Sequence, residues 1–251
     1  MKALLRCFGK AIVLLVVFLV SHGLAQVQAD LCSIPRKTIT GRIVAQNGFA
    51  WNYGYDINVE DSILIVRVAI NLIPARGIRR PELERVKPLW EQGIERIWSN
   101  KFALETTQGR RYPIVVDVSF RGPKFHHEVI VRPGSGPSDE LNWNILDNPE
   151  LVAHEFGHMI SMYDEYEKGA LAPQGAVIDP DSIMTSNPGE GAATHARHYK
   201  RFRAWFVDKT RLSGVSLVPM RIHRSHGAIS LYFPPLKKGG NQRKHLKVPL
   251  S

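Results

Sequence analysis

The stretch Ala153-His154-Glu155-Phe156-Gly157-His158-Met159-Ile160-Ser161-Met162-Tyr163-Asp164 decides how this chain of 251 residues is read. Just upstream, Asn148-Pro149-Glu150 offers an N-cap, a proline at the first helical position and a carboxylate in the first turn, so a helix is expected over residues 149–162. Residues four apart share a helical face, which lets the imidazoles of His154 and His158 reach one ion at about 2.0–2.1 Å from each nitrogen. Glu155 cannot share that face fully and stands beside the ion, where a carboxylate takes a proton from water. A tetrahedral catalytic site needs a third protein ligand and keeps its fourth position open. Asp164, six residues after His158, reaches the ion if the helix ends near Ser161 and the chain then turns sharply. Its rivals for that position are Glu165, His195 and His198, the two histidines reading more readily as surface residues of a later helix.

Outward from this helix the chain alternates strand and helix patterns. Residues 62–72 (SILIVRVAINL) are rich in β-branched residues and stop at Pro74, which reads as a buried strand. Pro81 opens a helix to about residue 99, with Leu83, Val86, Trp90, Ile94, Ile97 and Trp98 on one stripe. Residues 112–120 and 126–132 read as two further strands, the second opening with two exposed histidines, His126 and His127, and closed by Pro133-Gly134-Ser135-Gly136-Pro137. Residues 30–61 show no sustained period and read as an irregular or short-stranded lead-in. After the central helix, residues 163–180 are loop-like, 194–207 helical, and 227–233 a late strand. Trp90, Trp98, Trp143 and Trp205 are read as core rather than as a carbohydrate-binding stripe.

Composition gives the setting. With 44% apolar and 22% charged residues the chain is globular, neither collagen-like nor low-complexity. Lys2, Arg6 and Lys10 flank an apolar run over residues 11–20, too short for the roughly 20 residues of a membrane span. Small residues follow, so residues 1–29 read as a signal peptide cleaved after Ala25 or Ala29, and the protein as secreted or periplasmic. Cleavage after Ala25 lowers the net charge from +10 to +7, three basic residues leaving with the leader. Export makes nucleic acid an unexpected partner; the basic tail at 234–251, read as disordered, offers contact with an anionic surface instead. Cys7 leaves with the leader, so Cys32 has no intramolecular partner and reads as a free thiol. Nothing in the sequence sets the oligomeric state.

At His154, Glu155, His158 and Asp164 the chain resembles the metzincin clan of zinc endopeptidases, in its aspartate-ligand variant. Met184, in Ser182-Ile183-Met184-Thr185, looks like the clan's methionine turn. Ser161 stands where the clan has glycine, and Ser186 where some members have a tyrosine that Tyr163 or Tyr199 could replace. The resemblance covers roughly residues 60–205. It implies an α/β (α+β) fold: a twisted mixed sheet, a backing helix and a zinc helix in an upper lobe (about 60–161), then a small irregular lower lobe with a C-terminal helix (about 162–233), together a catalytic domain over 30–233. One Zn²⁺ held by His154, His158 and Asp164, with Glu155 as general base, would hydrolyse a protein or peptide substrate. In the clan an edge strand pairs with extended substrate, which would put Val129 and Val131 on the cleft. Two other classes stay open: a zinc-stabilised binding module without turnover, and an exported effector acting through its basic surface.

Overall fold

The computed structural model describes residues 33–120, 122–225, 228–232 and 247–248, and beyond Met220 only the backbone pairing. The expected leader at 1–29, Cys32 and most of the basic tail lie outside the described residues.

The apolar strand read at 62–72 is β3 (Ile63–Pro74), and it alternates rather than being buried on both faces: Leu64, Val66, Val68, Ile70 and Leu72 are buried, while the residues between them are partly exposed. β3 organises the sheet. β2 (Ala50–Glu60) pairs with it antiparallel as far as Arg67, and β6 (His127–Arg132) pairs parallel from Ile70 on. β5 (Arg111–Ser119) also runs parallel to it, followed outward by β4 (Phe102–Glu105) and β8 (Ser216–Pro219).

The irregular lead-in expected over 30–61 is instead a long hairpin of β1 (Ile34–Val44) and β2. β1 buries only Ile43, so its sequence carries no apolar period, and β2 is buried at Trp51, Gly54, Tyr55, Ile57, Asn58 and Val59 without strict alternation. β6 is no free edge either, because the three-residue β7 (Asn142–Asn144) pairs along it from Ile130. The result is a curled, open, eight-stranded mixed sheet among the described residues.

Helices α1 (Arg80–Trp98) and α2 (Pro149–Met159) pack on the sheet and on each other. Trp98 Nε1 donates to the Ala153 carbonyl at 2.9 Å and Trp90 Nε1 to that of Asp147 at 3.0 Å, so two buried indoles of α1 hold both ends of the turn into α2. Gly93 lets the helices meet: a Cβ there would collide with the ring of Pro149. Trp143 is buried with them, as expected, and Trp205 partly so. The helix expected over 194–207 splits into a 3₁₀ turn (Ala196–Tyr199) and α3 (Lys200–Thr210). Tyr112 and Phe206, 4.7 Å apart between ring centres, and Tyr55 and Phe202, at 5.6 Å, join these to the sheet, so one apolar core runs from β2 through α2 to α3. β9 (Arg221–Ser225), β10 (Ala228–Tyr232) and β11 (Lys247–Val248) form a separate small sheet. β10 is the late strand expected at 227–233, and Lys247 and Val248, within the basic tail, pair with it. The architecture is thus mixed α+β, a curled sheet with few helices.

Candidate metal centre

α2 starts as its sequence dictates, Asn148 Oδ1 accepting from the Leu151 N–H at 2.8 Å. It ends earlier than expected, at Met159, in a Schellman motif: Met162 N–H donates to the Gly157 carbonyl at 2.9 Å and Ser161 N–H to that of His158 at 3.0 Å. That motif needs a left-handed residue, and Ser161 supplies it with φ at 79°. The reversal carries the chain back along the helix.

His154, His158 and Asp164 thereby converge, one donor atom of each lying within 4.8 Å of the others, and all three are buried. Their orientation is fixed from behind. His154 Nδ1 lies 3.0 Å from the Ile183 carbonyl and His158 Nδ1 3.0 Å from that of Met162. Carbonyls only accept, so both Nδ1 atoms carry hydrogen and both Nε2 atoms are bare in the neutral rings. Those Nε2 atoms face Asp164 Oδ1 at 3.3 and 3.4 Å, and Oδ1 has no hydrogen-bond donor while Oδ2 accepts from Ala170 N–H at 2.6 Å. Three buried acceptors aimed at one another repel unless a cation sits among them, and protonating both rings would bury two cations on one carboxylate. The donor set therefore fits a divalent metal.

Met184 packs against α2 at Gly157, which lies between the two histidines in sequence. Thr185 N–H closes a turn onto the Ser182 carbonyl at 3.2 Å, which aims the Ile183 carbonyl at His154 and tucks Met184 under α2. The fit leaves no space at Gly157, where a Cβ would run into Met184 Sδ and sit 3.1 Å from Trp98 Cζ2.

Glu155 is buried but not in the ligand cluster, and it lines a cavity of about 230 Å³ that the three ligand residues also line. Burial, opposed by His154 and reinforced by Asp164, Asp139 and Glu140, pushes its carboxyl up to about 8. Tyr166 borders the same cavity, and burial beside Asp164 raises its phenol to about 12, so it keeps its proton.

The rivals for the third ligand are engaged elsewhere. Glu165 is gripped by Arg197 at 2.6 and 2.7 Å and by His198 Nε2 at 3.2 Å. His198 is buried rather than on the surface, its Nδ1 accepting from the His195 N–H, and His195 Nε2 faces Asp179 at 3.4 Å. Neither Tyr199, whose hydroxyl donates to the Trp98 carbonyl, nor Tyr163, which packs edge-on to Trp51, borders the cavity.

Val129 and Val131 are wholly buried, not on a cleft: lying parallel beside β3, β6 turns its odd residues into the core and Glu128, Ile130 and Arg132 outward. His126 and His127 are likewise bound, His126 Nδ1 by the Ala69 N–H and His127 Nε2 to the Gly54 carbonyl at 2.8 Å.

Sequence reading did not find Trp51, Asp139, Glu140 or Tyr166. Trp51 Nε1 donates to the His158 carbonyl at 3.0 Å with its ring edge-on to that imidazole, and the other three line the cavity. Only the adjacency of Tyr166 to Asp164 and Glu165 could have drawn attention locally. Among known proteins, no family model matches this chain, and no curated protein and no solved structure is detectably similar to it.

Proposed function

We propose that the protein is a zinc-dependent endopeptidase of metzincin-like build, exported by its leader and active on protein or peptide substrates. The observation that carries this reading is the pair of bare imidazole nitrogens and the orphaned Asp164 oxygen meeting at a cavity that Glu155 also lines. Bound there, a zinc ion would polarise a peptide carbonyl and lower the pKa of water to about 7.

The chain's own groups do the rest. His154 and His158 are held by the carbonyls of Ile183 and Met162, so the donor atoms need no reorganisation. Glu155, beside the ligand set and lining the same cavity, would accept a proton from the attacking water and return it to the leaving nitrogen. The Tyr166 phenol, which stays protonated and bonds to Asp164, would steady that carboxylate at the rim of the cavity. Glu165 and His198 are bonded elsewhere and His195 stands outside the cluster, so the described residues provide no fourth ligand, which favours an open catalytic site over a closed structural one.

Two imidazoles and a carboxylate also form the ligand set of non-haem iron(II) oxygenases, and Glu155 beside them is what favours hydrolysis. The test is metal content of the purified protein together with casein cleavage, before and after a chelator and on adding zinc back. One zinc per chain and reversible loss of cleavage are expected. Glu155→Gln should keep the metal and lose about 10²–10⁴-fold in kcat, whereas His158→Ala should lose both. Stoichiometric iron, or full cleavage by Glu155→Gln, would overturn the proposal.

A further inference from the structure

The cavity is more acidic than a metal site requires. A divalent ion would be balanced by Asp164 and Glu155, yet Asp139 and Glu140 line the same space. Asp139 is accounted for locally, its carboxylate accepting from the Leu141 N–H and the Asn142 amide. Glu140 is not. It is 7% exposed, stands outside the ligand cluster, and its carboxylate is bonded only by its own backbone N–H. No Lys, Arg or His among the described residues forms an ion pair with it, and Lys168, which also lines the cavity, is exposed.

A buried, unpaired carboxylate is costly, and burial raises this one further. Such a group persists where something outside the chain completes it. The chain as a whole carries +10, so four carboxylates around one small cavity run against its overall charge. At about 230 Å³ the cavity is smaller than a typical site for a whole ligand and suits one group of a longer substrate.

We propose that Glu140 anchors a subsite beside the metal centre that takes a cationic group of the substrate. This rests on the peptidase reading, and the cation is either a lysine or arginine side chain or the α-ammonium of a peptide N-terminus. A side-chain cation would make the enzyme selective for basic residues within a chain; an α-ammonium would confine it to chain ends.

The test uses the zinc-loaded Glu155→Gln protein, which binds without turnover, titrated calorimetrically with four short alanine peptides. They carry a central lysine or norleucine and an N-terminus that is free or acetylated. At least tenfold tighter binding is expected for one cation over its neutral counterpart, and the arm that gains identifies the source. Adding Glu140→Gln should abolish that gain while metal stoichiometry and far-ultraviolet circular dichroism stay unchanged. Equal affinities in all four peptides, no binding at millimolar concentration, or a gain that survives Glu140→Gln would each overturn the inference. If the double variant does not fold, the lysine–norleucine and free–acetylated comparisons in Glu155→Gln decide together. Cleavage of the same peptides by the unsubstituted protein separates the two readings. Zinc-dependent cleavage indifferent to charge would sink the subsite and keep the peptidase, whereas charge-selective binding without cleavage would do the reverse.

Discussion

Ser161 shows how one residue decides whether a metal centre exists. The pattern places glycine here because the chain must adopt a left-handed conformation, and a side chain in that region costs about 1–2 kcal/mol. Serine bears this at φ 79°, with its hydroxyl buried and unbonded. Ser161→Gly removes both penalties and gives back about 0.5–1 kcal/mol through a freer unfolded chain. The expected net gain is about 1 kcal/mol, seen as a melting midpoint some 2–4 °C higher with unchanged metal content; a lower midpoint would show that the turn is held by something other than backbone preference. His154, His158 and Asp164 were legible from their spacing along one helix and the turn after it, and Ser161 from where that turn had to fall. Glu140 and Trp51 were not legible, since a carboxylate or an indole acquires its meaning here from neighbours distant in sequence.

At the scale of elements, what could be read was long and faced one way. α1, α2, β3 and β5 are each nine or more residues long with an apolar face, and all four were found within a few residues of their ends. β4, β7 and β8 have three or four residues, too few to display a period, and β1 lies so far out that its composition resembles a loop. His127 joins two of these elements, binding β6 to the Gly54 carbonyl of β2. Burial, with the neighbouring His126, lowers its pKa to about 4 from 6.5, despite that carbonyl's opposing pull. A depressed histidine is buried neutral, so its contribution is present above pH 6.5 and lost as the pH falls toward 4, on the order of 3 kcal/mol in all. Denaturant titrations at pH 7, 5.5 and 4 should show the parent protein losing stability more steeply than His127→Gln. Parallel slopes would place the acid sensitivity elsewhere.

For the molecule as a whole, His154, His158 and Asp164 join α2 to the segment after it, and Met184 packs beneath that helix. A metal held by them would be linked to the fold: with zinc at 100 times its dissociation constant the native state would gain about 2.7 kcal/mol. Stripping the metal should lower the melting midpoint by about 5–10 °C for a chain of this size, and differential scanning calorimetry with and without chelator measures it; coincident midpoints would mean that the donor set is not occupied in solution. The hydrogen bond from His154 to the Ile183 carbonyl spans 29 residues. A growing or partly folded chain thus has the histidines in hand but not their aim, because the carbonyl that fixes the ring and the carboxylate that completes the set both arrive after the helix. A metal bound to this set would therefore report closure of the chain through Ile183, not the helix alone.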